Sequence, residues 1–209
     1  MATIDASWLV FVVASLVLIA TPGQDMILVM SRSVAQGAAA GVVTAGGVSV
    51  GLVGHTILAT LGLGAILRTS EWLFIALKLL GAAYLIYLGI GLMRTRQSSL
   101  PIGTGGARTL GRLFVDGAIS NLSNPKVAIF YFAFLPQFVA PSAQHPTLTV
   151  FVLGLAFAGL TFFVKAPVAL FAGRLSAWLR SRPNVLTWVF RSSGAILVAL
   201  GARLAFERR

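Results

Sequence analysis

From Ser33 to Leu67 this chain carries no Asp, Glu, Lys or Arg, and from Trp8 to Met30 it carries only Asp25. At 1.5 Å of rise per residue, roughly 20 apolar residues cross the hydrocarbon of a bilayer. Such runs recur at Trp72 to Met93, Arg112 to Val139, Thr147 to Phe171 and Val185 to Phe206. The composition agrees: 57% of residues are hydrophobic and 10% charged, where a soluble domain has about 25% charged. The pattern predicts an all-α membrane protein of about six transmembrane helices. Ser33 to Leu67 is too short for two spans and a turn, so a loop is expected to about Ala40 and one span from Gly41. Gly47 and Gly51 give that span a small-xxx-small face for close helix packing. No strand precedes them, which argues against a phosphate loop.

Two of the six runs are interrupted. The first holds Thr21-Pro22-Gly23-Gln24 and the fourth holds Ser120-Asn121-Leu122-Ser123-Asn124-Pro125-Lys126. Proline donates no backbone hydrogen bond and disfavours helix in the residue before it. Inside a membrane, freed backbone groups are tolerated only where protein or a water-lined cavity satisfies them. Polar side chains flanking such a break read either as a site or as a plain proline kink filled by neighbouring Ser and Thr, and the site reading is the one expected here. Thr21 is expected to cap a restarted helix with Pro22 in its first position and Gln24 completing a capping box. Asn124 is expected to cap ahead of Pro125 in the same way. Each restart would aim a helix N-terminus at the membrane interior, which suits a substrate carboxylate.

Phe11-Val12 and Pro22 recur as Phe114-Val115 and Pro125 at one offset, since 114 − 11 = 103 and 125 − 22 = 103. The expected organisation is a single transmembrane domain over residues 1–209. It holds two inverted three-helix repeats, 1–93 and 112–209, with broken first helices and a cytoplasmic linker at 94–111. Paired Pro-interrupted spans in corresponding positions are the best sequence pointer to a transporter site.

Lys and Arg outnumber Asp and Glu 16 to 5. Their clustering between apolar runs points to cytoplasmic loops and anionic membrane lipids, not to nucleic acid. Arg32, Arg94, Arg96, Arg108, Arg112, Arg174, Arg180 and Arg182 gather on one side, which puts both termini outside. Arg174 to Asn184 reads as a basic loop. There is no Cys, which excludes disulfides and thiolate metal sites, and neither a metal nor a cofactor is expected. Met1 to Ser7 has no Lys or Arg, so the first run is expected to be retained and not cleaved as a signal.

Three stretches together resemble the LysE/RhtB family of amino-acid exporters: Thr21-Pro22-Gly23-Gln24-Asp25, Lys78-Leu-Leu-Gly-Ala-Ala-Tyr-Leu-Ile-Tyr-Leu-Gly89 and Asn121-Leu-Ser-Asn-Pro-Lys126. The resemblance covers nearly the whole chain. The family often has a second Pro after Pro-Gly, where this chain has Gln24. The resemblance implies secondary, proton-coupled export of amino acids or small relatives from a bacterial cytoplasm through the inner membrane.

The candidate substrate-binding residues are Thr21, Pro22, Gly23, Gln24, Asp25, Asn121, Asn124, Pro125 and Lys126. Asp25 is the deepest acid and suits a substrate ammonium, unless it serves only to neutralise Lys126 or Lys165. Candidates for proton coupling are Asp25, His55, Lys78 and Lys165. His55 either titrates or bonds a backbone carbonyl, and Lys78 either serves the pathway or snorkels to the surface. An intramembrane enzyme acting on a lipid would want paired carboxylates or a metal triad, which five scattered acids do not supply. A small-solute channel also uses broken helices. Whether copies of the chain assemble is left open. The topology is tested by reporter fusions after Gly105 and at the C-terminus, which should lie on opposite sides of the membrane. Placement on the same side would overturn the six-span map.

Overall fold

A computed structural model describes residues 6–69, 71–95, 106–139 and 144–206, and these are helical with no strand among them. The order is α1 (Ala6–Ala20), α2 (Gln24–Gln36), α3 (Ala38–Thr69), α4 (Glu71–Arg94), α5 (Leu110–Leu122), α6 (Pro125–Phe134), a 3-10 turn (Leu135–Phe138), α7 (Pro146–Leu170), α8 (Ala172–Ser181) and α9 (Pro183–Phe206). Within the described residues three helices are long and apolar enough to cross a membrane: Ala38–Gly62, Pro146–Leu170 and Asn184–Phe206. The pair α1 and α2, bent by 54° at its break, makes a fourth if counted as one span.

Both interruptions fall where the prolines predict. At each, the residue before proline turns its N–H back to the carbonyl that proline would have served in a continuous helix. Thr21 shares its N–H between Val17 O at 3.1 Å and Leu18 O at 3.2 Å, and Asn124 donates to Asn121 O at 2.9 Å. The two repairs share the 103-residue offset, since 124 − 21 = 103 and 121 − 18 = 103.

Three local expectations need correction. The loop to Ala40 is absent: α2 runs to Gln36 and α3 begins at Ala38. Gly37 alone makes the turn, at φ 92°, a left-handed value that favours glycine. Second, Arg174 to Asn184 is mostly helix. Ala172 and Ser176 of α8 are buried, while Leu175 and Leu179 pack against Met26 and Met30 of α2 and Leu186 and Phe190 of α9. That i, i+4 apolar stripe outweighs the three Arg residues, which lie on the exposed face. Third, Thr21 does not cap α2: its hydroxyl donates back to Val17 O at 2.8 Å, and Gly23 holds the cap position with no side-chain bond. Residues 96–105 of the expected linker and 140–143 of the turn before α7 lie outside the described residues.

Packing is organised around α3, which lies along both α5 and α7, while α4 lies along α9. Glycine sets the first contact. A Cβ on Gly47 would overlap the carbonyl of Phe114, and one on Gly117 would sit 2.5 Å from Thr44 O. Gly47 and Gly51 thus form the packing face that their spacing suggests. Beside this seam lies an aromatic cluster in which Phe11, Phe134 and Tyr131 are almost wholly buried, with Phe130 and Phe134 stacked at 4.7 Å.

Adding a methyl at a backbone contact forces the helices apart, at a cost of about 1–3 kcal/mol. Gly47→Ala should therefore lower the thermal stability of the detergent-purified protein. Gly91→Ala, where a Cβ would meet nothing within 4 Å, should leave it unchanged or slightly raised. Equal melting of the two variants would contradict this seam.

Candidate functional site

The two breaks meet. Gln24, the first residue of α2, has its amide nitrogen 3.4 Å from Ser120 Oγ of α5, and its amide oxygen accepts from Asn124 Nδ2 at 3.4 Å. One residue further on, Asp25 enters the first turn of α2, where the helix dipole favours an anion. Its Oδ2 accepts from Asn121 Nδ2 at 2.8 Å and lies 3.5 Å from Lys165 Nζ of α7. The side chains of Lys165 and Asp25 retain only 7% and 13% of their exposure. A buried cation and anion at this distance neutralise each other, but desolvation consumes much of the gain.

Asn121 is fully buried. Its amide spans from Asp25 to the α3–α5 seam, where a Cβ on Gly51 would sit 3.0 Å from Asn121 Oδ1. Its backbone carbonyl takes a second donor, His55 Nε2 of α3, at 3.1 Å. The imidazole also lies beside the Tyr131 ring of α6, centroids 5.9 Å apart. Two acceptors in this cluster are buried without a hydrogen-bond partner among the described residues, Asp25 Oδ1 and Asn121 Oδ1. An unfilled carboxylate oxygen in a dry site is costly unless something cationic or donating visits it.

Of the residues the sequence marks, Gln24, Asp25, Asn121, Asn124, His55 and Lys165 are joined by these contacts. Pro22 and Gly23 make the first break, and Pro125 opens α6 directly after Asn124, the cap position expected for it. Thr21 faces back into α1. Lys78 is on α4, whose main neighbours are α9 and α6. The side chain of Lys126 lies outside the described residues. Of the cations offered as partners for Asp25, Lys165 is in contact with it.

A second charged cluster was only half visible in the sequence. Asp116 pairs with Arg112 one turn earlier, Nε to Oδ1 at 3.1 Å, as i, i+4 spacing suggests. Arg108 also pairs with it, and Arg32 of α2 approaches to 3.9 Å. Gln36 clasps the Arg108 backbone through both amide atoms, at 2.9 and 3.1 Å. These contacts fasten the end of α2 to the start of α5, and only the fold brings Arg32 and Gln36 there.

Apolar helices broken at paired prolines around a buried, ion-paired centre define a polytopic helical membrane protein with a polar interior site. The chain belongs to the LysE type translocator family, whose model matches residues 16–208. It is 32% identical over 202 residues to the homoserine/homoserine lactone efflux protein of Salmonella typhimurium, covering 96% of this chain and 97% of that one. It is 27% identical over 196 residues to the leucine efflux protein of the same organism, covering 93% and 92%. A membrane protein of Pseudomonas aeruginosa is 33% identical over 201 residues, covering 93% of each. No solved structure matches the chain. The family and these relatives make the protein a translocator, not an enzyme.

The ion pair predicts a non-additive pattern. Asp25→Asn or Lys165→Met alone leaves one buried charge uncompensated and should cost about 3–5 kcal/mol. The double variant should recover most of that loss. Thermal unfolding of the four purified proteins in detergent checks it; additive losses would mean that the two groups do not pair.

Proposed function

We propose that this protein exports a small amino acid or a close zwitterionic derivative from the bacterial cytoplasm across the inner membrane, in exchange for protons. The observation that carries the reading is the buried Oδ1 of Asp25, without a partner among the described residues, on the same carboxylate that Lys165 approaches at 3.5 Å. A substrate ammonium can take that open oxygen. Two cations on one carboxylate in a low-dielectric site repel strongly, and Lys165 relieves the conflict by giving up its proton. Binding of substrate and release of a proton are then coupled at one atom pair. The carboxylate end of the substrate goes to the second break, where Asn124 precedes the restart at Pro125 and Lys126. Efflux of homoserine or leucine by relatives supports an amino acid as cargo.

The membrane arrangement in this reading is six spans: α1 with α2, α3, α4, α5 with α6, α7, and α9. Residues 1–93 and 112–209 are the inverted halves, 94–111 links them in the cytoplasm, and both termini are outside. Support comes from the shared 103-residue offset of the two proline repairs and from the α4–α9 crossing. A Cβ on either Gly89 or Gly194 would lie 2.5 Å from the other's carbonyl oxygen. Exposed apolar side chains such as Leu61, Leu80 and Phe163 face lipid. The Arg174, Arg180 and Arg182 face of α8 sits among anionic head groups, with Trp178 at the interface.

The test is efflux of preloaded homoserine or leucine from cells, normalised to folded protein. Asp25→Asn/Lys165→Met should restore folding yet reduce export about tenfold or more, the loss expected for removing one hydrogen bond to a charged group. Lys165→Arg keeps the charge but cannot release a proton, so its export should no longer respond to a pH gradient. Export by the double variant at the unmutated rate would remove Asp25 from the site. Flux that never saturates would favour a channel.

A further inference from the structure

In a continuous helix the carbonyl of Asn121 would accept from the N–H of residue 125, which is a proline and has none. The Asn124 N–H takes up one lone pair at 2.9 Å. A side-chain donor comes from a different helix, His55 Nε2 at 3.1 Å, with the imidazole 3% exposed. Because a carbonyl can only accept, Nε2 must carry the hydrogen, and the tautomer is fixed by its partner. The first break has the same proline geometry at Leu18, but residue 158, offset from His55 by 103, is Ala. Leu18 has no polar amide to aim, whereas Asn121 holds Asp25 at 2.8 Å.

We propose that His55 is a positioning residue: it adds a side-chain donor beside the Asn124 N–H that stands in for the one Pro125 removes, and so fixes the turn of α5 that aims the Asn121 amide at Asp25. Its role is donation of a hydrogen bond and not transfer of a proton. The groups packed around it fit this assignment. Tyr131 of α6 faces the ring, Asn121 of α5 receives the bond, and Thr56, next in α3, turns its hydroxyl to Leu52 O. Asn121 links His55 to the charged pair Asp25 and Lys165.

The transport arm of the test rests on the export reading above, while the stability arm stands without it. Gln places an amide N–H about where Nε2 lies, and Leu fills similar space with no donor. Purified His55→Leu should melt at least about 5 °C below the unmutated protein, and His55→Gln should lose less than half as much. In efflux, His55→Leu should raise KM about tenfold with little change in kcat. His55→Gln should export within about twofold of the unmutated rate, with the same pH profile. A Gln variant that melts like Leu, or fails to reach the membrane, overturns the donor role. So does a Leu variant that behaves like the unmutated protein. A Gln variant that folds but has a flattened pH profile overturns it in favour of a titrating His55. Should no variant, nor the unmutated protein, export amino acids, the melting order still decides the role of His55, and the cargo alone is wrong.

Discussion

A carbonyl stripped of its donor by proline finds no water in the middle of a membrane, so something in the protein must answer it. The structure answers twice, and its central architecture follows from how it does so. At Leu18 and at Asn121 the residue before proline folds its own N–H back over three residues. That tight closure ends the helix, bends the chain and brings Gln24 of one break against Ser120 and Asn124 of the other. Without the prolines α1 and α2 would run on as one rod, and Asp25 would sit in a helix interior with no reason to face α5.

The two repairs match, but what surrounds them does not. The positions offset by 103 from Asp25, His55 and Lys165 are Ala128, Ala158 and Gly62. Every ionisable group of the centre therefore has a small, apolar counterpart. Two proline breaks meet, and side-chain chemistry turns the place where they meet into a single polar site. The same division appears at the ends of the broken helices. Around the first half of α1 lie Phe11, Phe134 and Phe138, with ring centroids 5.2 to 5.8 Å from Phe11, whereas Asp116 and three Arg residues gather at the start of α5. One end is held by aromatic packing and the other by ion pairs.

Close approach of α3 and α5 connects frame and site. Gly47, Gly51 and Gly117 let the two backbones touch, and that contact puts His55 within reach of the Asn121 carbonyl. A side chain at any of these glycines would push α3 outward and lengthen a 3.1 Å bond that long-range packing alone maintains. Seam and centre are therefore one mechanical unit, although the glycines carry no chemistry themselves.

The sequence by itself determined the helices, the two breaks and the polar residues around them. Apolar run length and the missing proline N–H are local properties that hold wherever the chain is placed. Gly47 and Gly51 could likewise be read as a packing face, and the three family motifs pointed to the translocator family whose model matches residues 16–208. Only the tertiary structure decided that Lys165 and Asn121 both contact Asp25, since those residues are far apart along the chain and meet through the packing of α2, α5 and α7. It also decided that Arg174 to Ser181 is helix, because Leu175 and Leu179 need Met26 and Met30 beneath them. It turned Thr21 away from capping, since Val17 O lies one turn behind its hydroxyl. The bond from His55 to Asn121 is the clearest case: the sequence offered a buried histidine and a carbonyl without its donor, and only the crossing of α3 over α5 made them partners.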